Sequence, residues 1–88
     1  MDDSELPAID FATFVLSLSH SVLVHLGDAE DPSTHTRSRD LPMARQTLHL
    51  LGLLQEKTRG NLTGDEERVL DQALIDLKLR LAEVEQAE

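Results

Sequence analysis

Cysteine, tryptophan and tyrosine are missing from this chain of 88 residues, and its aromatic content is limited to Phe11 and Phe14. The absence of cysteine excludes disulfides and thiolate metal sites. Basic residues are also scarce, since the formal net charge is -9 at pH 7. That sign argues against binding to nucleic-acid phosphates and against an anionic membrane surface. The charge indicates a role in solubility, with mimicry of a nucleic acid as the alternative.

A long uninterrupted hydrophobic run is absent as well. About 20 apolar residues are needed to cross a bilayer, whereas the apolar stretch from Phe11 to Leu26 is shorter and is interrupted by serines and His20. The first residues, M-D-D-S-E-L-P, are acidic, whereas a secretory signal begins with a basic region. We therefore expect a cytoplasmic protein that does not insert into a membrane.

The length of the chain favours one small domain. A folded chain of this size buries only about 60–65% of the surface that the unfolded chain exposes, which leaves a thin margin of stability. Residues 1–9 contain three acidic residues and Pro7, and we predict that they form a mobile acidic lead-in. Residues 10–88 are predicted to form a single helical domain.

The first helix is predicted over residues 10–26, D-F-A-T-F-V-L-S-L-S-H-S-V-L-V-H-L. Asp10 is a suitable N-cap, and Gly27 can end the helix in the left-handed conformation. Apolar residues lie on two stripes of this helix. Between them runs a narrow polar strip with Thr13, Ser17, His20 and Ser21. The small hydroxyl residues of this strip share one face, which suits either a close helix neighbour or contact with water.

A polar loop and a second helix follow. Residues 27–40 form the loop, which is long for a helix–helix connection. The second helix is predicted over residues 41–59, with Asp40 as its cap and Pro42 in its first turn. Gly52 lies in mid-helix, where it costs roughly 1 kcal/mol relative to alanine. It marks either a close helix crossing or a tolerated small residue.

The third helix is predicted over residues 63–86, where T-G-D-E at residues 63–66 forms a capping box. Its core stripe has heptad spacing and consists of Leu70, Leu74, Leu77, Leu81 and Val84. Ile75 and Leu79 lie on a different face and need a second partner. Together the patterns predict an all-α fold, a three-helix antiparallel bundle with a long polar loop, completed by oligomerisation.

Several strings carry a family resemblance: I-D-F-A-T-F-V-L-S-L (9–18), H-L-G (25–27), and L-P-M-A-R-Q-T-L and L-G-L-L-Q-E-K-T-R-G-N-L-T-G-D-E-E within 41–67. Through them the chain resembles a small bacterial family known as "domain of unknown function 1844", from residue 9 to about residue 80. The resemblance implies a soluble helical protein and transfers no catalytic or binding residue. It also implies a motif of unknown role, made of Gln55, Glu56, Lys57, Thr58, Gly60 and Asn61.

Residue patterns typical of catalysis are absent from the sequence. His20 and His25 are five residues apart, which is not the i, i+4 pairing that places two imidazoles on one metal. A zinc site combining one of them with His49 and a carboxylate is the alternative to histidines without a ligand role. No Gly-rich phosphate loop, nucleophile elbow or H-E-x-x-H motif is present. We therefore predict no cofactor, no metal and no enzymatic activity.

Surplus apolar helix surface gives the strongest functional indication. Three short helices cannot cover two apolar faces on each of the first two helices, and a further face on the third, within a monomer. We predict an interaction or assembly protein that binds a protein partner or itself, with a homodimer favoured. The alternative is a carrier of a small ligand or lipid in an apolar cavity lined by the first helix. The predicted interface residues are Phe11, Phe14, Val15, Leu18, Val22, Met43, Leu50, Leu54, Ile75 and Leu79.

Overall fold

Three helices make up the regular structure of residues 9–87, the part of the chain that this computed structural model describes. They are α1, Phe11–Leu26, α2, Leu41–Thr58, and α3, Gly64–Ala87. Each helix contacts both of the others, which gives a three-helix bundle. The predicted all-α fold is confirmed, and each predicted helix end lies within one residue of the observed one. The predicted mobile lead-in lies, apart from Ile9, outside the described residues.

Side-chain contacts show how α2 and α3 run. Arg45, near the start of α2, pairs with Glu85, near the end of α3, at 2.6 Å. Gln55, towards the end of α2, donates a hydrogen bond to Asp71, in the first half of α3. The two helices are therefore antiparallel, as the short connection between them requires.

One stripe of each helix builds the core. Gly52 lies outside it. No atom of another helix comes within 4 Å of the position that a Cβ on Gly52 would take, so this glycine does not mark a close helix crossing. The five buried residues of α3 are the predicted heptad stripe. Each large buried aliphatic side chain contributes about 1.5–3 kcal/mol through burial. The buried apolar residues are Val15, Val22, Leu26, Ala44, Leu48, Leu51, Leu70, Leu74, Leu77, Leu81 and Val84.

Hydrogen bonds at both ends set the bounds of α1. The carboxylate of Asp10 accepts a hydrogen bond from the N–H of Thr13 at 2.8 Å, as expected of an N-cap. Gly27 has a φ of 81°. The N–H groups of Gly27 and of the next residue donate to carbonyl oxygens of the last turn of α1, which is a Schellman motif.

A tight turn connects α2 to α3. Arg59 has φ -56° and ψ 129°, Gly60 has φ 80°, and the N–H of Asn61 donates to the carbonyl oxygen of Thr58 at 2.9 Å. These values describe a type II β-turn, which needs a residue with positive φ at its third position. Gly60 thus adopts the left-handed conformation, which reverses the chain between α2 and α3.

The capping box of α3 is confirmed. The N–H of Glu66 donates to the hydroxyl oxygen of Thr63 at 3.1 Å, and the N–H of Thr63 donates to the carboxylate of Glu66 at 2.9 Å. Two N–H groups that the helix leaves without an internal partner are satisfied in this way.

An ion pair holds the start of the long loop against α3. The guanidinium of Arg80 donates two hydrogen bonds to the carboxylate of Asp28, at 2.6 and 2.9 Å. These hydrogen bonds keep the pKa of Asp28 below its ordinary value. The Asp28 side chain is only 23% exposed, so water screens this pair less than a fully exposed one.

Hydrogen bonds also hold the end of the loop beside α1. The N–H of Asp40 donates to the carbonyl oxygen of His25 at 2.7 Å. The Nε of Arg39 donates to the carbonyl oxygen of Leu26 at 3.2 Å. The loop therefore leaves α1 and returns to the same turn of α1 before α2 begins.

We expect Thr63→Ala to lower the free energy of unfolding by about 1 kcal/mol, because it removes the hydroxyl that caps α3. Denaturant unfolding followed by circular dichroism measures the change. Thr63→Ser is the matched control, since it keeps the hydroxyl oxygen and should stay close to wild type. An equal loss in both variants would contradict the capping role.

We expect Asp28→Asn to lower the free energy of unfolding near neutral pH by up to about 1 kcal/mol, because it breaks the ion pair with Arg80. The folded-state pKa of Asp28 is lowered. The stabilisation is therefore complete above the unfolded aspartate pKa of about 3.9 and is lost as the pH falls through the folded value. Denaturant unfolding at a series of pH values should show the two proteins converging in acid.

Asp76→Asn is the control for this pH series, because its carboxylate accepts a hydrogen bond from the neutral amide of Gln72. It should show a smaller difference from wild type near neutral pH. A gap between wild type and Asp28→Asn that stays constant from neutral to acidic pH would show that the Asp28 charge does not stabilise the fold.

Candidate interaction surface

The solvent-facing side of α1 is uncharged. No Asp, Glu, Lys or Arg occurs between Phe11 and Leu26. Most of the exposed large apolar side chains lie on the two flanks of α1 or on the neighbouring sides of α2 and α3. Within residues 9–87 these exposed side chains are Ile9, Phe14, Leu16, Met43, Leu50, Leu53, Ile75 and Leu79.

The larger depression lies between α1 and α3, and we call it the α1/α3 groove. Its volume is about 850 Å³. Leu16 and Ile75, one from each helix, are each 61% exposed. Charged residues also line it, with the Asp28–Arg80 pair near one end, Arg68 near the other, and Asp71 and Asp76 between them along α3. The apolar residues that line it are Leu16, Leu23, Val69, Ala73, Ile75 and Leu77.

A smaller depression lies on the other flank of α1, and we call it the α1/α2 groove. Its volume is about 270 Å³. Lys57 is the one charged residue among those that line it, so the groove is nearly all apolar. Its lining residues are Phe14, Leu18, Leu50, Leu53, Leu54 and Lys57.

The polar strip of α1 lies between the two grooves. The hydroxyl of Ser17 donates to the carbonyl oxygen of Thr13 at 2.9 Å, and that of Ser21 donates to the carbonyl oxygen of Ser17 at 3.3 Å. Thr13 and Ser17 are exposed. The strip faces water within the single chain, and each serine hydroxyl proton is already used inside the helix.

The structure divides the predicted interface residues into three groups. Val15 and Val22 are fully buried, so they belong to the core of the single chain and have no surface for a partner. Three others, Phe11, Leu18 and Leu54, are partly buried and pack against the core. Those that are exposed at the surface are Phe14, Met43, Leu50, Ile75 and Leu79.

Two exposed groove residues, Leu16 and Leu53, are absent from the predicted interface. The residues directly before and after a core position lie about 100° to either side of it on a helix. Phe14 and Leu16 occupy these positions around Val15, and each lines one of the two grooves. The sequence signal for such a surface is therefore a large apolar residue on both sides of a core residue.

The motif of residues 55–61 has a structural role at four of its positions. Gln55 bridges α2 to α3 by donating to Asp71, and the hydroxyl of Thr58 donates to the carbonyl oxygen of Leu54 at 2.7 Å. Gly60 and Asn61 form the β-turn described above. Glu56 is exposed and has no such role. Lys57 is also exposed and lines the α1/α2 groove.

The shifted carboxyl groups of the described chain have structural causes. The pKa values of Asp10 and Asp31 are lowered by hydrogen bonds from Thr13 and Ser33, and that of Asp28 by Arg80. None of these three is raised by burial in a cleft, the shift that a general acid needs. In residues 9–87, no three His, Asp or Glu side chains form a group able to hold a metal ion. No helix among them is long and apolar enough to span a membrane.

Comparison with known protein families shows where this chain belongs. Residues 8–83 match the family described as "Domain of unknown function (DUF1844)". No curated protein and no solved structure matches the chain. The matched residues include α1, α2, both grooves and all but the last turn of α3. The chain therefore belongs to the DUF1844 family, a family of unknown function.

Proposed function

We propose that the protein acts by binding, as an interaction or assembly protein that joins a protein partner or a second copy of itself. On this proposal it works in the cytoplasm and catalyses no reaction. The observation that carries the proposal is the pair of apolar grooves on either side of the uncharged α1. Large exposed apolar patches on small proteins mark interaction sites more often than they serve no purpose.

Covering these grooves would release enough free energy to offset the cost of association. Leu16, Ile75 and Leu79 each leave more than 60% of their surface exposed. Because full burial of a leucine or isoleucine gains about 1.5–3 kcal/mol, each of them can still gain about 1–2 kcal/mol. Association itself costs at least about 4 kcal/mol. Several such residues must therefore be covered together, and Leu16 and Ile75 meet this condition because they line the same groove.

We expect the purified protein to show, by light scattering at micromolar concentrations, a mass above the 9.8 kDa of one chain, or to form a defined complex with a purified partner. Phe14→Ser with Leu53→Ser removes apolar surface from the α1/α2 groove, and Leu16→Ser with Ile75→Ser removes it from the α1/α3 groove. At least one of these pairs should weaken that association. Helix content by circular dichroism should stay unchanged, since all four residues are exposed.

Gln46→Ser is the control for these variants, because Gln46 is exposed on α2 and lines neither groove. A protein that remains a monomer and forms no complex would overturn the proposal. Association that both groove variants leave unchanged would show that the grooves are not its basis.

A second candidate function is the carriage of a small apolar ligand or lipid. The observation that favours it is the volume of the α1/α3 groove, about 850 Å³, which lies within the range of about 300–1,000 Å³ typical of ligand sites. On this view Leu16 and Leu23 of α1 would contact the ligand directly.

Native mass spectrometry of protein purified from cells separates the two candidates. A carrier is expected to appear as one chain with an added small mass that organic extraction removes. Leu16→Asp should lower the fraction of chains that carry this added mass, because it places a charge beside the ligand. An assembly protein is expected to appear at a multiple of the chain mass. One chain without any added mass would count against the carrier.

A further inference from the structure

α3 carries a second stripe with heptad spacing on the side that faces away from the core. Successive members are three, four, three and four residues apart, which is the spacing of a coiled-coil seam. All of them are exposed. We call this stripe the outer seam of α3, and its members are Gln72, Ile75, Leu79, Ala82 and Gln86.

The outer seam is uncharged although α3 as a whole is highly charged. Ten of the 24 residues of α3 are Asp, Glu, Lys or Arg, and none of them belongs to the seam. The solvent-facing side of a helix is where charged residues normally concentrate. Extended towards the start of α3, the stripe reaches a charged residue at Arg68, four residues before Gln72. The guanidinium of Arg68 pairs with Asp65. The centre of the seam, at Ile75 and Leu79, is 61% and 63% exposed.

We infer that the outer seam is the contact surface for α3 of a second copy of this chain, related by a two-fold axis. The inference rests on the proposed function and names the partner. The seam adjoins the α1/α3 groove, because Gln72 and Ile75 belong to both. A second α3 seated along the seam therefore also covers the exposed side of Leu16.

The composition of this surface favours a second copy over a different protein. The hot spots of protein interfaces are enriched in tryptophan, tyrosine and arginine, and the outer seam contains none of these. A seam of isoleucine, leucine and alanine resembles half of a helix-bundle core, which is typical of contacts between identical chains. The same heptad spacing on both copies lets the side chains of each helix fit between those of the other.

The charge distribution leads to the same partner. Two copies with a net charge of -9 each repel one another, so they can approach only where the surface is free of like charges. The outer seam meets this condition on α3. The residues beside it carry both signs, with Asp76 and Glu83 on one flank and Asp71 and Lys78 on the other. Lys78 of one copy can therefore lie near a carboxylate of the other. Added salt should strengthen the dimer, because it screens the overall repulsion.

Cysteine reporters test this contact directly, because the chain contains no cysteine of its own. We expect Ile75→Cys and Leu79→Cys, each alone or mixed with each other, to form intermolecular disulfides under mild oxidation much faster than Leu53→Cys or Gln46→Cys, which lie away from the seam. In a mixture of the two seam variants, a dominant disulfide between positions 75 and 79 identifies antiparallel helices. Disulfides of like with like identify parallel helices. Either pattern supports the inference, and seam variants that react no faster than the controls overturn it.

A double variant keeps the failure of this inference distinct from the failure of the proposed function. Ile75→Ser with Leu79→Ser should raise the dissociation constant of the dimer by on the order of 100-fold in sedimentation equilibrium, with helix content unchanged. The matched control is Leu50→Ser with Leu53→Ser in the α1/α2 groove, which should leave the dimer intact. A dimer broken by the control pair and not by the seam pair overturns the α3 contact while the proposed function stands. A wild-type chain that is monomeric but binds another protein likewise overturns the α3 contact and leaves the proposed function standing. A wild-type chain that binds nothing overturns both the α3 contact and the proposed function.

Discussion

Packing against its neighbours is the main interaction that holds α1 in the bundle, because α1 has no charged side chain from Phe11 through Leu26. Val15, Val22 and Leu26 are fully buried between α2 and α3. The core stripes of α2 and α3 supply the surfaces that cover them. The ion pairs of the described chain, such as Arg45 with Glu85, lie at the periphery, where exposed pairs contribute little. The fold therefore depends on close contact among a small number of aliphatic side chains.

The dependence of α1 on apolar packing also explains why apolar side chains are exposed beside it. A bundle of three helices covers about one side of each helix, whereas α1 is apolar around most of its circumference. Phe14 and Leu16, which flank the buried Val15, consequently lie at the edges of two grooves. The residues that the core leaves uncovered are the ones on which the proposed association depends. Stability of the single chain and capacity to bind are thus two consequences of one apolar helix.

Local sequence signals were sufficient to predict where the helices begin and end, but not which face of α1 is buried in the core. Asp10, Asp40 and the Thr63–Glu66 pair predict the helix starts, because capping depends on residues within one turn. The heptad spacing of the inner stripe of α3 predicts its buried residues for the same local reason. Val15 and Val22 were predicted to lie at an interface and are buried, because a helix that is apolar on two sides does not specify which side its own chain covers. Which side is covered depends on how α1 packs against α2 and α3. The hydrogen bond between Gln55 and Asp71 likewise depends on how α2 packs against α3. No pattern within one helix contains this information.

The hydrogen bond from the N–H of Asp40 to the carbonyl oxygen of His25 makes the packing of the helices independent of the length of the long loop. The chain leaves α1 at Gly27 and returns beside the same turn, so the residues between Asp28 and Arg39 bridge almost no distance. The entropic cost of closing a loop rises only slowly with its length. Insertions or deletions between these two residues should therefore leave the packing of α1 on α2 unaltered. The length of this loop can thus change without moving the helices or the grooves between them.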